Sequence, residues 1–139
     1  MNADIREMTI GDYDEAIALW RASEGVGLSE ADERGAVEAY LAANCGMSFV
    51  AVDAGRIVGA VLCGTDARRG YLHHLAVAES HARRGLGRAL AERCLAALAA
   101  TGIARCHVHV FAANVRARNF YAAAGWQHRE DLVVISKNT

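Results

Sequence analysis

The chain has 139 residues, the size of one domain with a buried core, and no room for two. Hydrophobic residues make up 53% of it, which excludes a disordered chain. A formal net charge of -1 excludes the basic excess of nucleic-acid binders, and 6% aromatics are too few for a base-stacking platform.

The N-terminus reads Met1-Asn2-Ala3-Asp4-Ile5-Arg6, with no basic patch ahead of an apolar stretch. No apolar run approaches the roughly 20 residues of a membrane-spanning helix. The expectation is a cytoplasmic protein without a membrane partner. Ile5 to Met8 alternates as a short strand. Asp12 caps a first helix, with Glu15 at the capping-box position, and Ala16, Leu19 and Trp20 give it an apolar stripe. Ser23 to Gly27 breaks it. Ser29 caps a second helix, with Asp32 at its third position and Val37, Tyr40 and Leu41 on its inner face. Asn44-Cys45-Gly46 ends it. Ser48–Val52 and Arg56–Cys63 form a hairpin around Asp53-Ala54-Gly55. Tyr71–Val77 is a further strand, the most buried of the region by composition. A long helix runs from Gly85 to Ala100, with Leu86, Leu90, Cys94, Leu95 and Leu98 at helical spacing, and Thr101-Gly102 stops it. Arg105–Phe111 is a strand parallel to Tyr71–Val77, because a helix separates them. Asn114 caps a short helix with Ala117, Phe120 and Tyr121 inward, and Gly125 ends it. Trp126–His128 and Leu132–Ser136 supply the last extended piece.

The order is β-α-α-β-β-β-α-β-α-β over a single domain, residues 1–139: an α/β fold with a mixed sheet and helices on both faces. Cys45, Cys63, Cys94 and Cys106 form no Cys-x-x-Cys pair and read as free thiols, three of them in apolar segments. With no proline, turns and helix ends rest on Gly, Asn, Asp and Ser.

The strongest chemical signal is the strand, turn and helix from Leu75 to Leu90. Arg83-Arg84-Gly85-Leu86-Gly87-Arg88 stands where the helix starts. There the first backbone N–H groups lack partners and the helix end is positive. Glycine lets a ligand approach the backbone, and three arginines add charge, so the segment suits a diphosphate. The glycines alone serve equally well as an ordinary helix-starting turn. A P-loop is excluded, because no Gly-x-x-x-x-Gly-Lys-Ser/Thr string occurs. A dinucleotide fingerprint fails at Leu90, where its third glycine belongs.

The second signal is Asn114-Val115-Arg116-Ala117-Arg118-Asn119-Phe120-Tyr121, followed by Gly125-Trp126. Together the two segments resemble the Gcn5-related N-acetyltransferase (GNAT) superfamily. The family's central motif, Arg/Gln-x-x-Gly-x-Gly/Ala, is matched by Ala82 to Gly87 except at its first position, where Ala82 replaces Arg or Gln. Its downstream motif is matched by Asn114, Ala117, Phe120-Tyr121 and Gly125-Trp126. The element order agrees over nearly the whole chain, and the broader pattern resembles small bacterial acetyltransferases of the YpeA type.

The resemblance implies a sheet splayed between its fourth and fifth strands, about four helices, and acetyl-CoA as cosubstrate. It implies that the main chain of Leu75, Ala76 and Val77 borders the pantetheine arm. It places Arg83, Arg84, Gly85, Leu86, Gly87 and Arg88 around the pyrophosphate, with Asn114 on the same arm. Tyr121 would protonate the leaving thiolate, and the Val77 N–H would meet the thioester oxygen. His73, four residues before Val77, matches a histidine base of some aralkylamine N-acetyltransferases. A sheet histidine bound in place, with water relays removing the proton, fits the same residue. Glu24 and Glu79 are weaker candidates for a base.

Strict alternation puts Tyr71, His73, Leu75 and Val77 on one face and Leu72, His74 and Ala76 on the other. That separation, repeated at Cys106 and His107 and set beside His109, argues against a metal site. The expected activity is transfer of acetyl from acetyl-CoA to a primary amine in a ternary complex. Another acyl-CoA or acceptor, and a non-catalytic CoA-binding module, are the alternatives. The acceptor, a small molecule or a protein N-terminus or lysine, is open. Carboxylates between Glu24 and Glu33 either attract an amine or form an ordinary charged loop. A homodimer through the last strand or a helix face is compatible with the chain.

Overall fold

The computed structural model describes residues 3–139. The chain resolves into two compact units, one ending at His109 and the other Val110–Thr139.

In the first unit five strands follow one another in the sheet: β1 (Asp4–Glu7), β2 (Phe49–Asp53), β3 (Arg56–Thr65), β4 (Gly70–Val77) and β5 (Cys106–Val108). The first four are antiparallel, and β4 and β5 are parallel. The helices are α1 (Tyr13–Ala22), α2 (Arg34–Ala43) and α3 (Leu86–Ala100), with α4 (Val115–Ala123) in the second unit. The mixed α/β sheet with four helices agrees with the expected fold.

Ala54 and Gly55 both have positive φ, 50° and 76°, the geometry that matches strand twist in a two-residue hairpin. Val58 to Gly64 of β3 are all buried, whereas β4 is half-buried at Tyr71, His73, His74, Leu75 and Val77. The expectation that β4 is the most buried strand is therefore corrected. The middle strand of the sheet has neighbours on both sides, with α1 and α3 packed on it. On one face Ala16, Ile17 and Trp20 of α1 and Val37 of α2 pack on Val50, Ala60, Leu62 and Ala76. On the other, a Cβ at Gly59 would meet Leu90 Cδ1 at 2.9 Å. Sheet and α3 approach so closely there that any side chain at position 59 would have to displace Leu90.

The helix starts differ from the sequence reading. Asp12 stands at the N-cap of α1, as expected, but its side chain makes no capping bond to that helix. Its carboxylate takes the Thr9 N–H at 2.9 Å and two bonds from Arg6, each 2.8 Å, around the 3-10 turn Ile10–Asp12. Glu15 accepts the Ile57 N–H instead, at 3.0 Å. Ser29 and Asp32 likewise build a 3-10 turn, Glu30–Asp32, and α2 begins only at Arg34.

β4 contains one extra residue. Ala60 pairs with Ala76 and Leu62 with His73, so two steps along β3 match three along β4. The bulge centres on His74, whose φ is 56°. Directly opposed residues share a face. Tyr71, His73 and Ala76, opposite Gly64, Leu62 and Ala60, therefore face α1 and α2. Val77, opposite Gly59, faces α3. His74 also reaches the α1 side, with its ring 5.3 Å from that of Trp20. The expected separation of His73 from His74 is corrected: the bulge shifts the alternation and brings both to one face.

β5 is three residues long, not the seven expected from Arg105 to Phe111. It pairs with Gly70, Tyr71 and Leu72, while β4 continues to Val77. The two strands thus part after Leu72.

In the second unit Asn114 Oδ1 accepts the Ala117 N–H at 3.1 Å, the expected cap. Gly125, at φ 92°, ends α4, with the Trp126 N–H on Tyr121 O at 2.9 Å. The strands expected at Trp126–His128 and Leu132–Ser136 are absent among the described residues. Val133 is 81% and Ile135 90% exposed. A strand needs a paired edge and a covered face, and this segment has no strand partner.

Candidate active site

Between β4 and α3 the chain makes the 3-10 turn Glu79–His81 and then bends through two left-handed residues, Arg83 at φ 62° and Gly85 at φ 80°. Gly85 is the N-cap, so α3 starts at Leu86, one residue later than expected. Ala89 N–H donates to Gly85 O at 3.0 Å, leaving the N–H groups of Leu86, Gly87 and Arg88 at the open helix end. A Cβ at Gly85 would meet nothing within 4 Å, so the turn faces open space. Leu86 is 2% exposed and offers only its backbone.

Arg83, Arg84 and Arg88 are exposed. Arg83 lies 3.3 Å from Glu79 and Arg88 3.1 Å from Glu92. Such exposed pairs are worth little in water, so a multivalent anion can replace the glutamates. Beside Ala82, the departure from the motif, His81 Nε2 lies 2.7 Å from Asp53 Oδ2, and Ser80 Oγ 2.8 Å from His81 Nδ1. These contacts tie the turn to the end of β2. No sequence signal pointed to His81 or Asp53, which are 28 positions apart.

The β4 edge adjoins this turn in sequence. Ala78 N–H donates to Val58 O at 2.8 Å, so Val58 and Ala78 face each other through hydrogen bonds. The next pair, Gly59 and Val77, is then a non-hydrogen-bonded one. Val77 consequently directs its N–H and C=O away from β3, to the side where β5 has parted. By the same alternation Ala76 turns its groups toward β3, and Leu75 lies in the bulge.

His73 is half-buried, with its ring edge-on to Tyr40 at 6.0 Å. Burial holds its pKa below the usual 6.5, nearby His74 and His109 lower it further, and Asp32 opposes them. The imidazole is therefore neutral near pH 7 and able to accept a proton. His74 Nε2 lies 2.7 Å from Asp32 Oδ1. Sequence reading gave Asp32 a capping role and a place among the carboxylates of the Glu24–Glu33 stretch, but no partner on β4. Glu24 and Glu79 are exposed. A cleft of about 250 Å³ opens beside Asp32, lined by Tyr13, Ile17, Arg21, Leu28 and Glu33. The described residues hold no group of three or more metal-ligating side chains.

The second unit carries Asn114 and Tyr121. Asn114 uses its side-chain oxygen on the α4 cap and keeps its amide N–H groups for other partners. Tyr121 is buried, its ring 5.0 Å from Phe120 and 5.2 Å from Trp126. The four cysteines are free. Burial pushes the Cys106 thiol up to about 12, which removes it as a nucleophile.

An acetyltransferase of Sodalis glossinidius (strain morsitans) is 25% identical over 134 residues, which cover 96% of this chain and 94% of that one. The structure of AAC(6')-Iy with the bisubstrate analogue CoA-S-monomethyl-acetylneamine matches with a TM-score of 0.80 at 18% identity, over 100% of both chains. PaiA N-acetyltransferase of Thermoplasma acidophilum, in complex with coenzyme A, matches with a TM-score of 0.82 at 17% identity, over 94% of this chain and 92% of that one. The model of the acetyltransferase (GNAT) family matches residues 13–126, and the chain belongs to that family.

Proposed function

We propose that the protein moves an acetyl group from acetyl-CoA to a primary amine, by direct attack within a ternary complex. The observation that carries this reading is the β4 edge, open beyond Leu72 and running into the left-handed turn at the start of α3. The pantetheine arm lies along Leu75, Ala76 and Val77, taking its main-chain bonds from the groups that face outward. Arg84, Gly85, Leu86 and Gly87 hold the pyrophosphate with backbone N–H groups, and Arg83 and Arg88 supply charge. The open space at Gly85 fits such a ligand. Asn114 contacts the same arm through its free amide.

His73 takes the proton from the ammonium, and the amine nitrogen attacks the thioester carbonyl carbon. The Val77 N–H receives the oxygen as it gains charge. Collapse breaks the C–S bond, Tyr121 gives its phenolic proton to the thiolate, and the second proton shed by the new amide nitrogen returns to the phenolate. The acceptor is a small-molecule amine bound in the cleft beside Asp32 and Glu33, where carboxylates favour a cation and Ile17 and Leu28 receive its apolar part. The similarity to AAC(6')-Iy, solved with an analogue carrying a small-molecule amine, supports that choice. The whole chain acts as one catalytic domain.

A thiol-release assay with acetyl-CoA against a panel of small amines and N-terminal peptides tests the reading. Tyr121→Phe is expected to slow transfer about a hundredfold while CoA affinity holds. His73→Ala is expected to slow it comparably at neutral pH. Absence of CoA binding by calorimetry would overturn the cosubstrate, and an unchanged rate in H73A would remove His73 as the base.

A further inference from the structure

His74 occupies a conformation its residue type disfavours. Its φ of 56° lies in the left-handed region, where an L side chain crowds the backbone and glycine or asparagine is usual. A bulge inside a long strand keeps such a residue only when its surroundings hold it there. Two contacts do so, and the partner in the first is itself held. His74 Nε2 lies 2.7 Å from Asp32 Oδ1, and the two side chains are 16% and 8% exposed. The imidazole packs on the fully buried Trp20 ring. Asp32 is itself immobilised: its other oxygen accepts the Ser29 N–H at 3.0 Å, and the Tyr13 hydroxyl donates to its carbonyl at 2.6 Å.

What the bulge decides is the direction of the three residues after it. Strand groups alternate with period two, so losing one residue from β4 would turn Val77 N–H from the open edge toward β3. The bulge residue and its anchor are therefore upstream of the thioester contact. We propose that Asp32 and His74 are a positioning pair. Their bond pins the β4 bulge, aims the Val77 N–H at the thioester oxygen, and couples the acceptor-side segment between α1 and α2 to the acyl-side edge. The inference rests on the acetyl-CoA reading of that edge. The pair carries no proton in the reaction; it acts through the backbone.

Glycine at position 74 separates the two roles, because it adopts φ 56° without an anchor. His74→Ala keeps the strain and loses the anchor. Calorimetry with CoA is expected to show about tenfold weaker binding in H74A and Asp32→Ala, and H74G within about threefold of the wild type. Amide hydrogen exchange at Leu75, Ala76 and Val77, read without any ligand, is expected to speed up in H74A and D32A and to stay near wild type in H74G. Wild-type exchange and CoA affinity in H74A and D32A would overturn the inference. So would an H74G variant as impaired as H74A, which would mean that the imidazole itself is needed. If H74A does not fold, H74G and D32A decide by the same readouts. Failure of the wild-type protein to bind CoA would instead sink the acetyl-CoA reading, and the exchange data would still judge the anchor.

Discussion

Gly85→Ala separates an anion cradle from a plain helix start. Gly85 sits at φ 80°, and a Cβ there would meet no atom within 4 Å. The substitution therefore brings backbone strain without a steric clash inside the protein. An L residue in the left-handed region costs ~1–2 kcal/mol. A stiffer unfolded chain returns ~0.4–1 kcal/mol of that. A net loss of about 1 kcal/mol follows, a fall in melting temperature of about 3–5 °C for a chain of this size. Gly102 is the matched control. Its φ is 84°, it too has nothing within 4 Å, and it lies past the other end of α3. A helix of that length separates the two sites by about 20 Å. G102A is expected to lose the same stability. Only G85A places a methyl group in the space assigned to the pyrophosphate, so only G85A is expected to weaken CoA binding, by about tenfold or more. Thermal melts and calorimetry on both variants make the measurement. Equal stability loss with equal CoA affinity would show that the turn starts a helix and does nothing else.

The pH response of His73 has a definite sign. Burial holds its pKa below 6.5, so the transfer rate is expected to rise with pH through a value under 6.5 and level off by pH 7. The same shift makes folding resist a proton that the unfolded chain accepts. Stability is full above 6.5 and falls as pH drops toward the folded value, and urea melts of His73→Gln are expected to show a shallower fall. Asp12 has the same sign in a lower pH window: the Arg6 bond holds its carboxyl below 3.8. Its contribution is present above that value and is lost as pH falls through the folded one. Asp12→Ala is expected to cost ~1–2 kcal/mol in denaturant melts at pH 7, since a partly buried charged bond and the turn at Thr9 go together. Leu90→Ala, at a fully buried position against Gly59, is expected to cost about 2–5 kcal/mol. A cost under about 1 kcal/mol would mean that α3 and the sheet close over the cavity.

Local chemistry was readable along the chain. Asn114 capping α4, Gly125 ending it, and the Asp53-Ala54-Gly55 hairpin depend on neighbours a few positions away, and each formed where the residues said. So did the glycine turn ahead of α3, because a helix start is set by its own first residues. The turn residues Ser29 and Asp32 were found, but the rest of what Asp32 does was not. Its partner His74 is 42 positions distant, and no local rule links them. The length of β5 and the absence of final strands follow from where an edge is paired, which no single strand encodes.

The largest difference came from one residue. Alternation in β4 predicts opposite faces for His73 and His74, and it fails because the strand carries an extra residue at His74. The sequence by itself determined where strands, turns and caps arise and which family's motifs they compose, since those rest on short-range sterics and hydrogen bonding. Only the tertiary structure decided which way the β4 groups point. That direction depends on a strained backbone held by Asp32 and Trp20, side chains that reach His74 only after the chain has folded back on itself.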